Sequence, residues 1–164
     1  MQIISTTEEL KDTFSRDIPE LVWATGPVSY DYHFADRNLF DAVVLGSWHQ
    51  NGTLFAADAT TLAVENGELM GIEIGMSGLE FTSRKNALGL VWKDLVDKAQ
   101  IDADDIAGVL QRSEYASWLN PAVQADTYYI HALSVKSEYR GKRVGYQLID
   151  RAINAAVEKD FAKL

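Results

Sequence analysis

Two apolar runs, at 60–65 and 68–76, are joined by Asn66-Gly67, and this pattern restricts the fold more than any other feature. Asn-Gly is the strongest short hairpin signal, because both residues of a two-residue turn must take positive φ. Such a turn pairs Val64 with Leu69 and Ala63 with Met70. The hairpin then carries apolar residues on both faces, so helices are expected to cover it from both sides.

The remaining elements are arranged around that hairpin. A short strand is expected at 2–5. Thr6-x-x-Glu9 reads as a capping box opening a helix through Phe14. The aromatic segment 15–34 reads as irregular, with Pro19, Pro27 and Pro121 marking loops. Asp36 suits the cap of a helix in which Leu39, Phe40, Val43, Val44 and Trp48 share one face. Two helices follow the hairpin. Leu88, Val91, Trp92, Leu95 and Val96 form the stripe of the first. Ile106, Val109 and Leu110 form that of the second, after an Asp102-x-x-Asp105 start. Asp102, Asp104 and Asp105 lack the glycine and terminal glutamate of a calcium loop, so they read as helix caps. A strand at 126–135 precedes a helix at 144–159 with Val144, Leu148, Ile149, Ala152, Ile153, Ala156 and Val157 on its inner face. This order predicts a mixed α/β (α+β) fold, with residues 1–164 as one domain.

Charge and composition exclude several functions. The net charge of −9 repels phosphate backbones, so no general nucleic-acid binding is expected. The chain has no cysteine, which removes thiol nucleophiles and cysteine-held metal. Residues 1–14 lack the pattern of a secretory leader. No apolar run approaches the ~20 residues of a membrane span, so a cytoplasmic protein with no membrane partner is expected.

The chemistry concentrates in the stretch from Tyr128 to Ile149, YYIHALSVKSEYRGKRVGYQLI. A strand ends at Val135 and a helix starts at about Val144. Lys136, Arg140, Lys142 and Arg143 place four of the 15 basic residues within eight positions. Backbone N–H groups at a helix N-terminus form an anion site, and a glycine allows close approach. On charge alone, a bound pyrophosphate and a solvated basic loop stand level.

The stretch resembles the acetyl-CoA-binding motif of the GNAT (Gcn5-related N-acetyltransferase) family, Gln/Arg-x-x-Gly-x-Gly/Ala. Here it maps to Arg140, Gly141, Lys142, Arg143, Val144 and Gly145, with Arg143 standing where the family has its middle glycine. Leu133, Ser134 and Val135 resemble the strand end that hydrogen-bonds the pantetheine arm. The Asn66-Gly67 hairpin resembles the one that comes before that strand. The resemblance implies a GNAT-like, mostly antiparallel sheet with helices on both faces. It also implies acetyl-CoA as acyl donor and an amine of a small molecule or protein as acceptor. The run from Tyr129 to Leu133 is similar to family members with two histidines on this strand that assist deprotonation. That assigns His131, with Tyr129 two residues away on the same face, to catalysis. The alternative is a GNAT-like domain that binds CoA or a protein partner without catalysis.

In that family the domain continues with a fifth strand and a helix bearing a tyrosine acid. Residues 161–164 look like the lead into that strand, so the sequence reads as a piece cut after the acetyl-CoA motif. The strand bearing His131 then has one unpaired edge, which predicts a homodimer. Glu73 reads either as a group meeting the acceptor amine or as an outward carboxylate. Trp23, Tyr30, Tyr32 and Phe34 read as a small core cluster rather than an acceptor wall.

Overall fold

The computed structural model describes residues 1–119, 122–161 and 163. Its centre is one antiparallel sheet in the order β1 (Gln2–Ser5), β2 (Thr60–Glu65), β3 (Glu68–Ser77) and β4 (Tyr128–Val135). The β2–β3 turn is the expected one, with Asn66 at φ 53° and Gly67 at φ 81°. The pairing differs from the expectation by one residue. Val64 faces Leu69, but Ala63 faces Gly71, and Met70 is left as a bulge. The bulge keeps both Ala63 and Met70 on the side of the last helix.

Helices cover both faces, as the doubly apolar hairpin requires. One face carries α1 (Glu8–Phe14), α2 (Ile18–Trp23), α3 (Pro27–Phe34), α4 (Arg37–His49), α5 (Gly78–Asp97) and α6 (Ala103–Tyr115). Phe40, Val43, Val44 and Trp48 of α4 meet Leu62, Ile72 and Ile74 of the sheet in one core. Each such side chain contributes about 1.5–3 kcal/mol by leaving water. The Trp48 indole N–H donates to the Lys11 carbonyl at 2.9 Å, so its one polar atom is satisfied.

Three sequence expectations need correction here. The first cap is Thr7, which accepts from the Leu10 N–H, while Thr6 Oγ1 donates to the Thr60 carbonyl at 2.9 Å. The segment 15–34 is helical, a 3-10 turn followed by α2 and α3. Pro19 and Pro27 sit in the first turns of these helices, where the missing N–H costs nothing. Among the expected inward residues, Val96 and Leu110 are exposed, as is the row Ile149, Ile153 and Val157. Pro121 and the expected lead residues Ala162 and Leu164 lie outside the described residues. Asp36 caps α4, and Asp102 caps α6 with Asp105 completing its capping box, as expected.

The other face is covered by α7 (Val144–Glu158). Its buried residues are Val144, Leu148, Ala152, Ala155 and Ala156. The alanines let the helix lie close on β3 and β4, and the closeness encloses a carboxyl. Glu73 is 1% exposed beneath α7, so it is neither an outward carboxylate nor part of an open acceptor site. Its Oε1 accepts from the Tyr128 hydroxyl at 3.3 Å, and its Oε2 has no partner. Gly75 leaves the room, since a Cβ there would fall 2.1 Å from Glu73 Oε1. Burial pushes the Glu73 carboxyl up to about 7, outweighing the Tyr128 hydrogen bond, the nearby Thr61 hydroxyl and the charge of Arg151.

This carboxyl predicts a pH-dependent stability. The folded protein holds the proton up to about pH 7, whereas the unfolded chain releases it near 4.5. Stability therefore falls as pH rises through that window, by an amount on the order of 3 kcal/mol, and levels off above it. Glu73→Gln should remove this decline, making the variant the more stable protein at pH 8. Urea unfolding at pH 5 and pH 8 measures it; an equal decline in both proteins would contradict it.

Candidate functional site

The site is organised along β4. The strand pairs with β3 on one side. On its other side it meets only the start of a parallel bridge, Thr127 to Lys163, among the described residues. At its C-terminal end, a 3-10 turn, Ser137–Tyr139, leads through Arg140 and Gly141 to the start of α7. This turn walls a cleft of about 430 Å³, lined by Val135, Tyr139, Arg140, Gly141, Arg143, Val144, Gly145 and Tyr146. No side chain caps α7, so its first N–H groups keep the free donors and partial positive charge of a helix N-terminus.

The backbone explains the glycine pattern of the turn. Gly141 has φ 77°, and Arg143 has φ 65°, the left-handed region. Arg143 stands where the resembled motif has its middle glycine, and an L side chain there costs about 1–2 kcal/mol. Its side chain is exposed. At Gly145 a Cβ would lie 3.6 Å from Val135 Cγ2 and 3.9 Å from Leu133 Cδ2, so α7 meets the strand end closely here.

The structure separates the basic residues that the sequence groups together. Arg140 Nε donates to the Val135 carbonyl at 3.1 Å, which fixes the guanidinium at the strand end beside the cleft. Arg143 also lines the cleft. Lys136 turns away to an ion pair with Asp17 at 2.8 Å. Lys142 lies 5.0 Å over the Tyr139 ring and does not line the cleft. Leu133 and Val135 pack towards α7, and Ser134 is buried.

The middle of β4 carries the second feature. Ile74 pairs with Ala132 and Gly75 with Ile130, so His131 is the extra residue of a bulge. The bulge resets the alternation. Tyr129 and Ala132 pack into the helical core, while Ile130 and Leu133 pack on the α7 side. His131 shares the core side with Tyr129, the ring centroids 5.9 Å apart, as the two-residue spacing predicts. Phe55 and Phe81 close over the imidazole at 5.1 and 6.4 Å. Both ring nitrogens of His131 are buried and have no hydrogen-bond partner. Burial alone pulls its pKa down to about 4, so the ring is neutral at neutral pH. Buried polar groups are nearly always paired, and a buried imidazole without a partner among the described residues marks a functional candidate.

Sequence reasoning missed Phe55 and Phe81. They come from a loop and from the first turn of α5, and nothing in their local pattern links them to β4. The aromatic cluster behaves as expected for three of its members. Trp23, Tyr30 and Phe34 pack on Phe40 at 4.9, 4.8 and 5.2 Å. Tyr32 faces outward, into a separate apolar groove of about 720 Å³ between α3 and the end of α6. His33 Nδ1 donates to the Ser29 carbonyl at 2.8 Å, and His49 is exposed. No helix among the described residues is long and apolar enough to cross a membrane.

Comparison with known proteins agrees with this arrangement. The fold is that of a solved acetyltransferase structure at TM-score 0.70 and 16% identity, covering 97% of this chain and 76% of that one. An N-acetyltransferase from Staphylococcus aureus Mu50 is similar at TM-score 0.67 and 19% identity, covering 94% of this chain and 76% of that one. No curated protein matches the chain by sequence. Residues 81–164, which include β4, the basic turn and α7, match the model of the acetyltransferase (GNAT) family. With just over half of its length matched in this way, the chain belongs to the GNAT acetyltransferase family.

Proposed function

We propose that this protein is an acetyl-CoA-dependent N-acetyltransferase acting on a primary amine of a small molecule or protein, with residues 1–164 as its acyl-CoA-binding domain. One observation carries the reading: a single strand joins a cleft at a helix N-terminus to a buried, unpartnered histidine. The cleft fits the donor. Backbone N–H groups from Gly141 to Tyr146 take the pyrophosphate, and Arg140 and Arg143 add charge. Val135, at the strand end, is the place for the pantetheine arm, with Leu133 and Ser134 behind it. Acetyl-CoA supplies an acetyl group activated as a thioester. His131, neutral in its dry pocket, accepts the proton that the acceptor amine must lose, directly or through a water, and Tyr129 orients the amine on the same face. A backbone N–H of β4 stabilises the oxyanion that develops as the C–N bond forms; its collapse breaks the C–S bond, and the CoA thiolate leaves and takes up one proton to become the thiol. The imidazolium so formed needs an acceptor for its second N–H, and the bound acceptor or water supplies it.

The homodimer belongs to the same proposal. Tyr146, Ile149, Ile153 and Val157 leave an apolar row exposed along α7, with Tyr146 at 70% and Val157 at 72%. Light scattering of the full chain tests it, a monomer at all concentrations being the contrary result.

Cofactor binding is measured by calorimetry with acetyl-CoA. Arg140→Ala should weaken it by about 1.5–3 kcal/mol, the worth of a charge-assisted contact. Arg143→Gly should gain thermal stability, because glycine takes φ 65° without strain, and should lose the part of the affinity that the Arg143 charge supplies. Arg143→Ala keeps the strain and should not gain. Affinity unchanged in Arg140→Ala would contradict the placing of the pyrophosphate.

Turnover is measured by thiol release over a panel of amines. His131→Ala should lower it by about 10²–10⁴ with acetyl-CoA affinity nearly unchanged. Undiminished turnover would return His131 to a packing role. Acetyl-CoA binding with no thiol release from any amine is the result expected of a non-catalytic CoA-binding domain.

A further inference from the structure

The two rings that cover His131 belong to segments far apart in sequence, and one side chain joins those segments. Phe55 lies in the loop between α4 and β2, and Phe81 in the first turn of α5. Arg84, one helical turn after Phe81, reaches back to that loop. Its Nη1 donates to Asp58 Oδ1 at 3.1 Å and to the Thr53 carbonyl at 3.4 Å. Its Nη2 lies 3.6 Å from Glu80 Oε1. Asp58 in turn accepts from the Gly52 N–H at 3.2 Å, closing the loop on itself. The loop is also pinned from inside, where Thr53 Oγ1 donates to the Ser47 carbonyl at 2.8 Å and the Phe55 N–H donates to Ser47 Oγ at 2.9 Å. The inner bonds fix the loop to α4. Arg84 alone, among the described hydrogen bonds and ion pairs, fixes it to α5.

Arg84 differs from an ordinary surface ion-pair residue. Its side chain is only 12% exposed, and its Nε is buried. Exposed ion pairs contribute little because water competes for both partners and long side chains lose entropy. A largely buried guanidinium holding a carboxylate and a carbonyl on another segment is instead a structural tie.

We propose that Arg84 is a positioning residue for His131, tying the 53–58 loop to the start of α5 so that Phe55 and Phe81 stay closed over the imidazole. The proposal rests on the catalytic reading of His131 for its functional meaning, but not for its test. The groups around the ring are few. On β4 it has Tyr129, and on α3 Tyr30 stands near that phenol. The residues of α2 buried against the sheet side are Ile18, Leu21 and Val22. In the first two turns of α5 and in the loop, the charges are Glu80, Arg84, Lys85 and Asp58. None of these charges moves the imidazole; burial does. Opening the aromatic cover therefore admits water, stabilises the imidazolium and raises the basicity of the ring. Dryness set by Arg84 thus determines how readily His131 takes a proton.

The test is an NMR titration of the imidazole signals in the full 164-residue chain, without acetyl-CoA or acceptor. Three histidines are present, and the His131 signal is assigned by its loss in His131→Asn. In the parent protein His131 should titrate near 4. In Arg84→Met it should titrate about one pH unit or more higher, towards the ordinary histidine value. Arg84→Lys should fall between the two, since an ammonium can hold Asp58 but not the fork of partners. Asp58→Asn, which disturbs the fold less, should shift in the same direction and decides the matter if Arg84→Met does not fold. In pH–rate profiles the acid limb should move up in step. His131 titrating at the same pH in both variants as in the parent, or near 6.5 in the parent itself, would overturn the proposal. Unchanged turnover in His131→Ala would overturn the catalytic reading and leave this titration standing, so the two failures are separable.

Discussion

The antiparallel pairing of β3 with β4, interrupted at His131, is the constraint on which the rest of the structure depends. A regular strand would alternate through the whole of β4 and turn His131 and Ala132 to opposite faces. The extra residue places both on the helical side and returns Leu133 and Val135 to the α7 side. The same strand can then offer a histidine to one face and, at its end, a docking surface for α7 on the other. The small residues Ala152, Ala155 and Ala156 follow from that second role. The cleft exists because α7 begins hard against the strand end, with no side chain occupying its N-terminus.

Each face of the sheet encloses an acid or base whose charged form burial disfavours. Glu73 under α7 is pushed up, and His131 under Phe55 and Phe81 is pulled down. Desolvation acts on both, and the signs differ only because one group is charged when it loses a proton and the other when it gains one. Their surroundings distinguish their roles. Glu73 has a phenol donor and lies 1% exposed beneath a helix. His131 has no polar partner among the described residues and lies under Phe55 and Phe81 on the strand whose end lines the cleft.

Much of the fold was legible in the sequence because the signals were local. Asn66-Gly67 demanded two positive φ values, Asp36 and Asp102 lay three and four residues before the first stripe residues Leu39 and Ile106, and the strand from Tyr128 was bounded by turn residues. The segment 15–34 was not legible: its prolines sit where a helix accepts them, so they resembled breaks while marking starts. Both bulges were invisible as well, since an extra residue leaves the composition of a strand unchanged. At the site, the turn from Arg140 to Gly145 was readable as a motif, and the left-handed φ of Arg143 shows what the usual glycine is for. Lys136 and Lys142 joined that group only by sequence proximity; an ion pair and an aromatic ring engage them elsewhere. Phe55, Phe81 and Arg84 depend on tertiary approach and carried no signal that a linear reading could use.

On the proposed function, the strand end, the turn and the first residues of α7 form one cofactor site on the strand that bears His131. Backbone amide mapping by NMR during an acetyl-CoA titration measures this. The largest shifts are expected at Val135 and from Gly141 to Tyr146, smaller ones at Tyr129 and His131, and none in the groove between α3 and α6. Shifts centred on that groove, or no shift at the turn at saturating acetyl-CoA, would contradict it.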